Sequence, residues 1–281
     1  MITLAYHGMG TRFELALDGK PDTYLQSAGE EAIREIARIE SRLSLYRENS
    51  DLCEINRLAA TRPVQLDDEM FAFLSTAKGI CRTTEGCFDM TVAPLSRVWG
   101  FVGGSGEMPN ANAVATAREV LGMHHLEFDE SERTVRFLKP GVELDPGAIG
   151  KGYALDRAAE ILHELDVPIA LIHGGTSSVV AIGAPEGGEG WRVAVARPPT
   201  LPGEGDLAVH SLRDTTLSVS APHTKSFTIN GEVYGHVLDP RTGEPAKTCH
   251  LATVICPSAM LGDALSTALL VGGIEIGRAH V

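Results

Sequence analysis

The stretch SFTINGEVYGHVLDPRTGEP, residues 226–245, has the pattern of two short strands joined by one tight turn and followed by another. Its Asn230-Gly231 pair suits a two-residue type I′ turn, which needs positive φ at both central positions and joins antiparallel strands. His236 stands at the end of the second apolar strand, and the DPRTG segment (239–243) has the residues of a sharp turn. His236 is therefore either the polar residue of a half-buried strand before a surface turn, or a group placed for chemistry.

The rest of the chain alternates between strand and helix patterns. A second hairpin is expected over residues 125–138, and apolar alternation predicts further strands over 11–17, 169–175, 177–184, 191–198, 214–220 and 251–258. Spacings of three and four predict helices over 28–46, 67–84, 110–123 and 150–165, with one more over 257–273. Helices dominate the first 125 residues and hairpins the later half, which predicts an α+β fold with antiparallel or mixed β-sheets flanked by helices.

Composition limits the classes of partner. The chain has 281 residues, 43% hydrophobic, and a net charge of −13, which argues against general affinity for nucleic acid or anionic membrane surfaces. No apolar run approaches the roughly 20 residues of a membrane span. Five cysteines without a C-x-x-C pair predict neither a disulfide framework nor a zinc site.

The two ends of the chain lead to separate expectations. Residues 1–17 alternate like a strand and lack a basic region followed by an apolar stretch, so the expected location is the cytoplasm. The last residues, IGRAHV (276–281), interrupt a small-residue helix and are expected to be a truncation artefact.

The segment ELDPGAIGKGYALDRA, residues 143–158, combines a glycine-rich turn with a helix start near Ile149. Unpaired N–H groups and the helix dipole favour an anion at such a place, and Lys151 adds a positive charge in the first turn. The spacing matches neither a Walker A loop nor G-x-G-x-x-G. A phosphate site and a plain turn with an exposed lysine are both compatible with this segment.

The helix expected over 257–273 has Ser258 as a capping residue and carries Asp263 and Thr267 four positions apart, on one face. A carboxylate and a hydroxyl are hard oxygen ligands that suit Mg²⁺ and not zinc or copper. The alternative is a solvated polar face, although the flanking residues are small or apolar.

Two more stretches allow a ligand or ordinary packing. Adjacent glycines in IHGGTSSVVAIGAP (172–185) allow close approach of backbone or ligand, with His173 expected to be structural. In EGCFDMTVAPLSRVWGF (85–101), Phe88, Asp89 and an aromatic pair could form the wall of a pocket for a flat ring. Core packing explains the second stretch equally well.

Taken in order, these stretches resemble the FAD:protein FMN transferases, the flavin transferases of the ApbE family. The motifs that carry the resemblance are GMGTRFEL, SRLSLYRENSDLCEINR, FDMTVAPLSRVWGF, DPGAIGKGYALDRA, HVLDPRTGEP and PSAMLGDALSTAL, which together cover nearly the whole chain. The resemblance implies one ApbE-like, T-fold-related flavin-transferase domain over residues 1–275, with two subdomains as the alternative. It implies Mg²⁺-dependent transfer of FMN from FAD to a Thr or Ser hydroxyl of an acceptor flavoprotein, of electron-transport or reductase type, with release of AMP.

The resemblance also implies roles for residues. The metal ligands it implies are Ala148 through its carbonyl, Asp263 and Thr267, with Ser266 adjacent. The flavin contacts it implies are Met9, Tyr46, Cys87, Phe88, Asp89, Asp145, Lys151 and His236. His236 would stand beside the pyrophosphate as the catalytic base, with Asp239 orienting it or serving as the base instead.

Alternatives to the transferase remain open at this point. The same site would serve a Mg²⁺-dependent FAD pyrophosphatase that hands FMN to water, and a non-catalytic FAD carrier would share the binding residues. Many family members are exported, which makes a periplasmic location the alternative to the cytoplasm. One departure from the family's pattern is Thr176-Ser177-Ser178, where an acidic or amide residue usually follows the two glycines.

Overall fold

The computed structural model describes residues 1–102, 104, 106–222 and 225–279. Its helices are α1 (Asp22–Leu43), α2 (Asp51–Leu58), α3 (Asp68–Thr83), α4 (Ala93–Val98), α5 (Ala111–Arg118), α6 (Gly150–Glu164), α7 (Ala259–Gly272) and α8 (Ile274–Ala279). Its strands are β1 (Ile2–Gly8), β2 (Thr11–Asp18), β3 (Val64–Gln65), β4 (Leu126–Asp129), β5 (Thr134–Phe137), β6 (Ile169–Gly174), β7 (Ser178–Ile182), β8 (Trp191–Val195), β9 (Ala208–Leu212), β10 (Thr215–Ser220), β11 (Ser226–Ile229), β12 (Glu232–Gly235) and β13 (Ala252–Cys256). Helix α8 covers most of the segment expected to be an artefact, whose His280 and Val281 lie outside the described residues.

The chain divides into two compact units, each made of three separated segments. The first unit comprises residues 1–42, 149–220 and 251–266, and the second comprises 43–148, 221–250 and 267–279. Every described strand pair is antiparallel. The predicted α+β class with antiparallel sheets is confirmed.

The first unit is built on a six-stranded sheet in the order β1-β2-β6-β7-β10-β13. Side chains alternate between its two faces, as the pleat requires. On one face, α1 packs against β1 and β2, where Gly29 lies beside Leu4 and Leu17, and α6 packs against β6 and β7. The hairpin β8–β9 covers the other face through a cluster that includes Trp191 and Leu217.

The second unit combines helices α2 to α5 with the three-stranded sheet β3-β5-β4 and the hairpin β11–β12. Its core is centred on Trp99, which is 1% exposed, stacks on Tyr234 with ring centres 5.8 Å apart, and donates from Nε1 to the Gly243 carbonyl at 2.8 Å. Phe101 belongs to the same cluster. Trp99 and Phe101 are the aromatic pair of the stretch 85–101. They pack in the core, which was the alternative to a pocket wall for a flat ring.

Local signals explain two of the turns between strands. Asn230 and Gly231 have φ values of 53° and 84°, as the type I′ turn between β11 and β12 requires. Residues 1–17 form two strands and not one, because Met9 and Gly10 take positive φ and turn the chain back. Helix α1 starts at Asp22 and ends at Leu43, so its predicted bounds of 28–46 were wrong at both ends.

Candidate active site

Asp263 is the most deeply anchored of the expected site residues in the first unit. Its side chain lies on α7, and the residue is 6% exposed. One carboxylate oxygen accepts the Gly152 N–H at 2.7 Å, and the other accepts the Ser178 hydroxyl. Buried carboxylates need such partners to stay ionised at tolerable cost. Asp263 is thus fixed to the first turn of α6 and to strand β7.

Hydroxyl groups surround this carboxylate within the same unit. Ser266, one turn further along α7, donates to the Asp263 carbonyl at 3.0 Å and lies 2.8 Å from the Ser220 hydroxyl. The Ser218 hydroxyl is fully enclosed, and within the described part of the chain it has no hydrogen-bond partner. The interface between β10 and α7 is therefore unusually polar for a sheet–helix contact.

The start of α6 confirms the helix predicted after the glycine-rich turn. Ile149 occupies the N-cap position and gives no side-chain cap, so the first amides depend on other groups, of which Asp263 is one. Lys151 lies in this first turn and is half-buried. The arrangement places one positive side chain at the positive end of the helix dipole.

Met9 lies in the β1–β2 turn with a φ of 50°, which is uncommon for a residue with a side chain. Glu40 of α1 explains this conformation, because its carboxylate accepts the Met9 N–H at 2.7 Å. The same carboxylate accepts the Tyr6 hydroxyl at 2.7 Å. Met9 is therefore held by a residue 31 positions away.

In the second unit, Cys87, Phe88 and Asp89 are all buried, at 1%, 1% and 9% exposed. Asp89 accepts both the N–H and the hydroxyl of Thr91, at 2.8 and 2.6 Å. Burial nevertheless raises the pKa of Asp89, because desolvation outweighs these hydrogen bonds. Burial raises the pKa of the Cys87 thiol as well.

Asp145 closes the turn before α6. Its carboxylate accepts the Gly147 N–H at 2.8 Å, and its own N–H donates to the Met90 carbonyl at 2.6 Å. Desolvation raises the pKa of this carboxyl, although the residue keeps some exposed surface. Ala148 follows three positions later and is half-buried.

A cavity of about 650 Å³ opens in the second unit. Asp89 contributes to its wall, together with Cys81, Arg118, His124 and Arg241. Burial, with Asp89 nearby, raises the pKa of Cys81 to about 12, so this thiol is protonated at neutral pH.

His236 follows directly after β12, as expected from the pattern. Its N–H donates to the Lys225 carbonyl at 2.9 Å, and its ring Nδ1 lies 3.1 Å from the same oxygen. The Asp239 carboxylate instead pairs with Arg241, accepting Nε and Nη2 at 3.0 and 2.9 Å. The Lys225 carbonyl therefore orients the imidazole, while the Asp239 carboxylate is engaged by Arg241.

The remaining expected residues are Tyr46 and Thr267. Tyr46 follows α1 with 83% of its surface exposed, an unusual state for an aromatic side chain. Thr267 lies on α7, as predicted for the i, i+4 pair with Asp263.

The sequence did not reveal two of the hydrogen-bond partners of the expected site residues. Ser178, in the segment noted as a departure from the family's pattern, donates to Asp263 across 85 positions of sequence, and Glu40 holds Met9. Neither contact can be predicted from the spacing of residues along the sequence. His173 is structural as predicted, since its two ring nitrogens face the Gly175 carbonyl and Glu14, each at 3.1 Å.

Comparison with known proteins identifies the family of this chain. A sequence profile described as the ApbE family matches residues 9–281. The chain belongs to the ApbE family. A FAD:protein FMN transferase of Haemophilus influenzae is 28% identical over 97% of this chain and 81% of that protein. One from Klebsiella pneumoniae is 28% identical over 95% of this chain and 77% of its own length.

Solved ApbE structures share the fold. The ApbE protein of Thermotoga maritima matches with a TM-score of 0.89 at 29% identity, covering 99% of this chain and 89% of that one. The flavinyl transferase ApbE of Pseudomonas stutzeri, in its apo form, matches with a TM-score of 0.83 at 29% identity, covering 99% and 86%. The ApbE-like architecture is thereby confirmed, and the chain is a transferase enzyme. Among the described helices, none combines the length and hydropathy needed to cross a membrane.

Proposed function

We propose that this protein transfers FMN from FAD to a Thr or Ser hydroxyl of an acceptor flavoprotein, with Mg²⁺ and with release of AMP. The observation that carries the proposal is the buried Asp263 carboxylate, held by the Gly152 N–H in the same helical turn that presents Lys151. Membership of the ApbE family supports the choice of donor and acceptor.

The proposed magnesium ligands are oxygens of Asp263, Ser266, Thr267 and the Ala148 carbonyl. The donor chemistry fits, since Mg²⁺ prefers oxygen ligands and a carboxylate oxygen has about two lone pairs. Each Asp263 oxygen accepts one hydrogen bond and so retains acceptor capacity. When bound, Mg²⁺ supplies positive charge against the pyrophosphate of FAD, which Lys151 supplements.

His236 is the proposed base. The Lys225 carbonyl can only accept, so the Nδ1 facing it carries the proton in the neutral imidazole and Nε2 keeps its lone pair. The acceptor oxygen forms a bond to the phosphorus of the FMN half, the bond from that phosphorus to the bridging oxygen breaks, and AMP leaves with that oxygen. The hydroxyl proton passes to His236 Nε2.

The other expected contacts suit a flavin dinucleotide. The exposed ring of Tyr46 offers a face for stacking on a flat ring. Burial raises the pKa of Asp89 and of Asp145 and so makes each carboxyl easier to protonate, and a protonated carboxyl can donate a hydrogen bond to a ring nitrogen. Met9, Cys87 and Phe88 complete the proposed set.

The test is incubation of the protein with FAD, Mg²⁺ and a candidate acceptor flavoprotein. The expected result is AMP together with FMN attached to a Ser or Thr of the acceptor, observed by mass spectrometry. Free FMN and AMP without labelled acceptor would show the pyrophosphatase instead. FAD that stays intact with Mg²⁺ would show a carrier.

Asp263→Asn is the matching variant. It keeps the shape but removes the negative charge, and we expect the rate of transfer to fall at least about 100-fold, as for loss of a group that neutralises transition-state charge. Asp22→Asn, an exposed carboxylate at the start of α1, is the control and should retain the wild-type rate. Undiminished turnover in Asp263→Asn would refute the metal assignment.

A further inference from the structure

Asp156, on the second turn of α6, makes contacts that the proposed function does not use. Its carboxylate accepts the Ser258 hydroxyl at 2.7 Å and the N–H groups of Ala259 and Met260 at 2.7 and 2.9 Å. The first amides of a helix have no partner within the helix and carry the positive end of its dipole. A carboxylate from another helix thus caps α7 from outside, across 104 positions of sequence.

A second contact joins the same two helices one turn away. Gly152, four residues before Asp156, donates its N–H to Asp263, four residues after Ala259. The backbones touch here, since a Cβ on Gly152 would lie 2.1 Å from the Ala259 carbonyl oxygen. Two anchor points on α6 therefore fix both the start of α7 and the carboxylate one turn into it.

The two carboxylates also interact through charge. Desolvation raises the pKa of Asp156, its three hydrogen bonds lower it, and the negative charge of Asp263 raises it further. A cation at Asp263 would lie within range of both negative charges.

We propose that Asp156 is a positioning residue for the cation site at Asp263, acting by holding the N-terminus of α7 in the place from which Asp263 meets Gly152. The inference rests on the proposed function for the identity of the cation. Asp156 itself is not a ligand, because its oxygens are engaged by the Ser258 hydroxyl and by the amides of α7.

The test variant is Asp156→Asn. A carboxamide has one acceptor oxygen and turns an NH₂ group toward a donor, either the Ala259 amide or the Ser258 and Met260 groups. The start of α7 must then shift, and Asp263 shifts with it. With saturating FAD, we expect the dissociation constant for Mn²⁺, measured by electron paramagnetic resonance, to rise about tenfold. In the transfer assay, the Mg²⁺ concentration that gives half of the maximal rate should rise by the same factor. The kcat at saturating Mg²⁺ should stay within about threefold of the wild-type value.

Asp67→Ala is the control, because alanine removes the side-chain acceptor of a helix cap away from Asp263. Asp67 also places a carboxylate on a helix start, accepting the Met70 N–H at 2.8 Å at the beginning of α3 in the second unit. This variant should lose thermal stability but bind Mn²⁺ like the wild type. If the Asp156 and Asp67 variants weakened Mn²⁺ binding equally, the effect would be due to general destabilisation of the protein. That result would overturn the inference.

Further variants separate the outcomes. Should Asp156→Asn not fold, Ser258→Ala removes one of the three donors and should weaken Mn²⁺ binding in the same direction by a smaller factor. A wild-type protein that neither binds Mn²⁺ nor transfers FMN would refute the proposed function. Mn²⁺ binding that is lost in Asp263→Asn but unchanged in Asp156→Asn and Ser258→Ala would refute only the role of Asp156.

Discussion

Asp89 is a carboxylic acid whose surroundings favour the protonated form. Burial raises its pKa above the value of about 3.9 in an unfolded chain. At a pH between the unfolded and the folded pKa of Asp89, the unfolded chain has released the proton of this carboxyl while the folded chain keeps it. The free energy of unfolding therefore falls as the pH rises through this window. Above the folded pKa the whole cost of burying the charge is present.

Asp89→Asn should therefore stabilise the protein in a pH-dependent manner. The amide oxygen can still accept both hydrogen bonds from Thr91, and no charge has to be buried, although the hydrogen bond from the Met123 N–H is lost. We expect the free energy of unfolding of the variant, measured in urea without FAD, to exceed the wild-type value at pH 8. The excess should shrink as the pH is lowered toward 4.5. A difference that does not vary with pH would contradict the assigned shift.

At the scale of elements, close packing of α6 on α7 makes one glycine indispensable. Gly152→Ala would push a Cβ into the Ala259 carbonyl, a backbone atom that cannot move aside by a side-chain rotation. We expect a loss of at least about 2 kcal/mol in the free energy of unfolding, in the range of an overpacked interior. The measurement is urea unfolding followed by circular dichroism.

Gly79→Ala gives the opposite expectation in another helix. Gly79 lies in α3, and a Cβ there would meet nothing within 4 Å. Replacing such a glycine should stabilise the protein by about 0.5–1 kcal/mol, because alanine loses less backbone entropy on folding. Similar losses in both variants would show that helical propensity, and not the backbone contact, decides the effect at Gly152.

At the scale of the molecule, residues 43–148 lack the partners that complete their core. Trp99 packs against Phe227 and Tyr234, which belong to the later segment 221–250. A fragment comprising 43–148 should therefore show red-shifted Trp99 emission and no cooperative unfolding. The full chain with Trp191→Phe, in which Trp99 is the remaining tryptophan, is the reference. A fragment with buried Trp99 and a sharp transition would contradict this expectation.

Periodicity and turn signals in the sequence predicted most of the elements, including the eight-residue α5, and missed several short ones. Helices α3, α6 and α7 bury one face, and that face appears as apolar spacing. Helices α2 and α4 have eight and six residues, too few for the spacing to repeat clearly. Strand β9 was missed because its sequence, AVHSL, is only weakly apolar, and it forms by pairing with β8.

In the candidate site too, the residues within predicted elements were found from the sequence, and the contacts between distant elements were not. Asp263, Ser266 and Lys151 stand within recognisable helical segments, and the family resemblance drew attention to them. Gly152 meets Asp263 across 111 positions of sequence, and Ser178 meets it across 85. Contacts of this kind depend on tertiary packing, so local spacing could not predict them.

The interleaving of the two units has a consequence for synthesis. Strand β2 reaches its neighbour β6 only after the ribosome has translated the intervening segment 43–148, which goes to the other unit. At ordinary translation speeds the apolar side chains of β2 remain without their neighbours on β6 for on the order of ten seconds. During that interval they form the surface on which a nascent chain aggregates or recruits a chaperone.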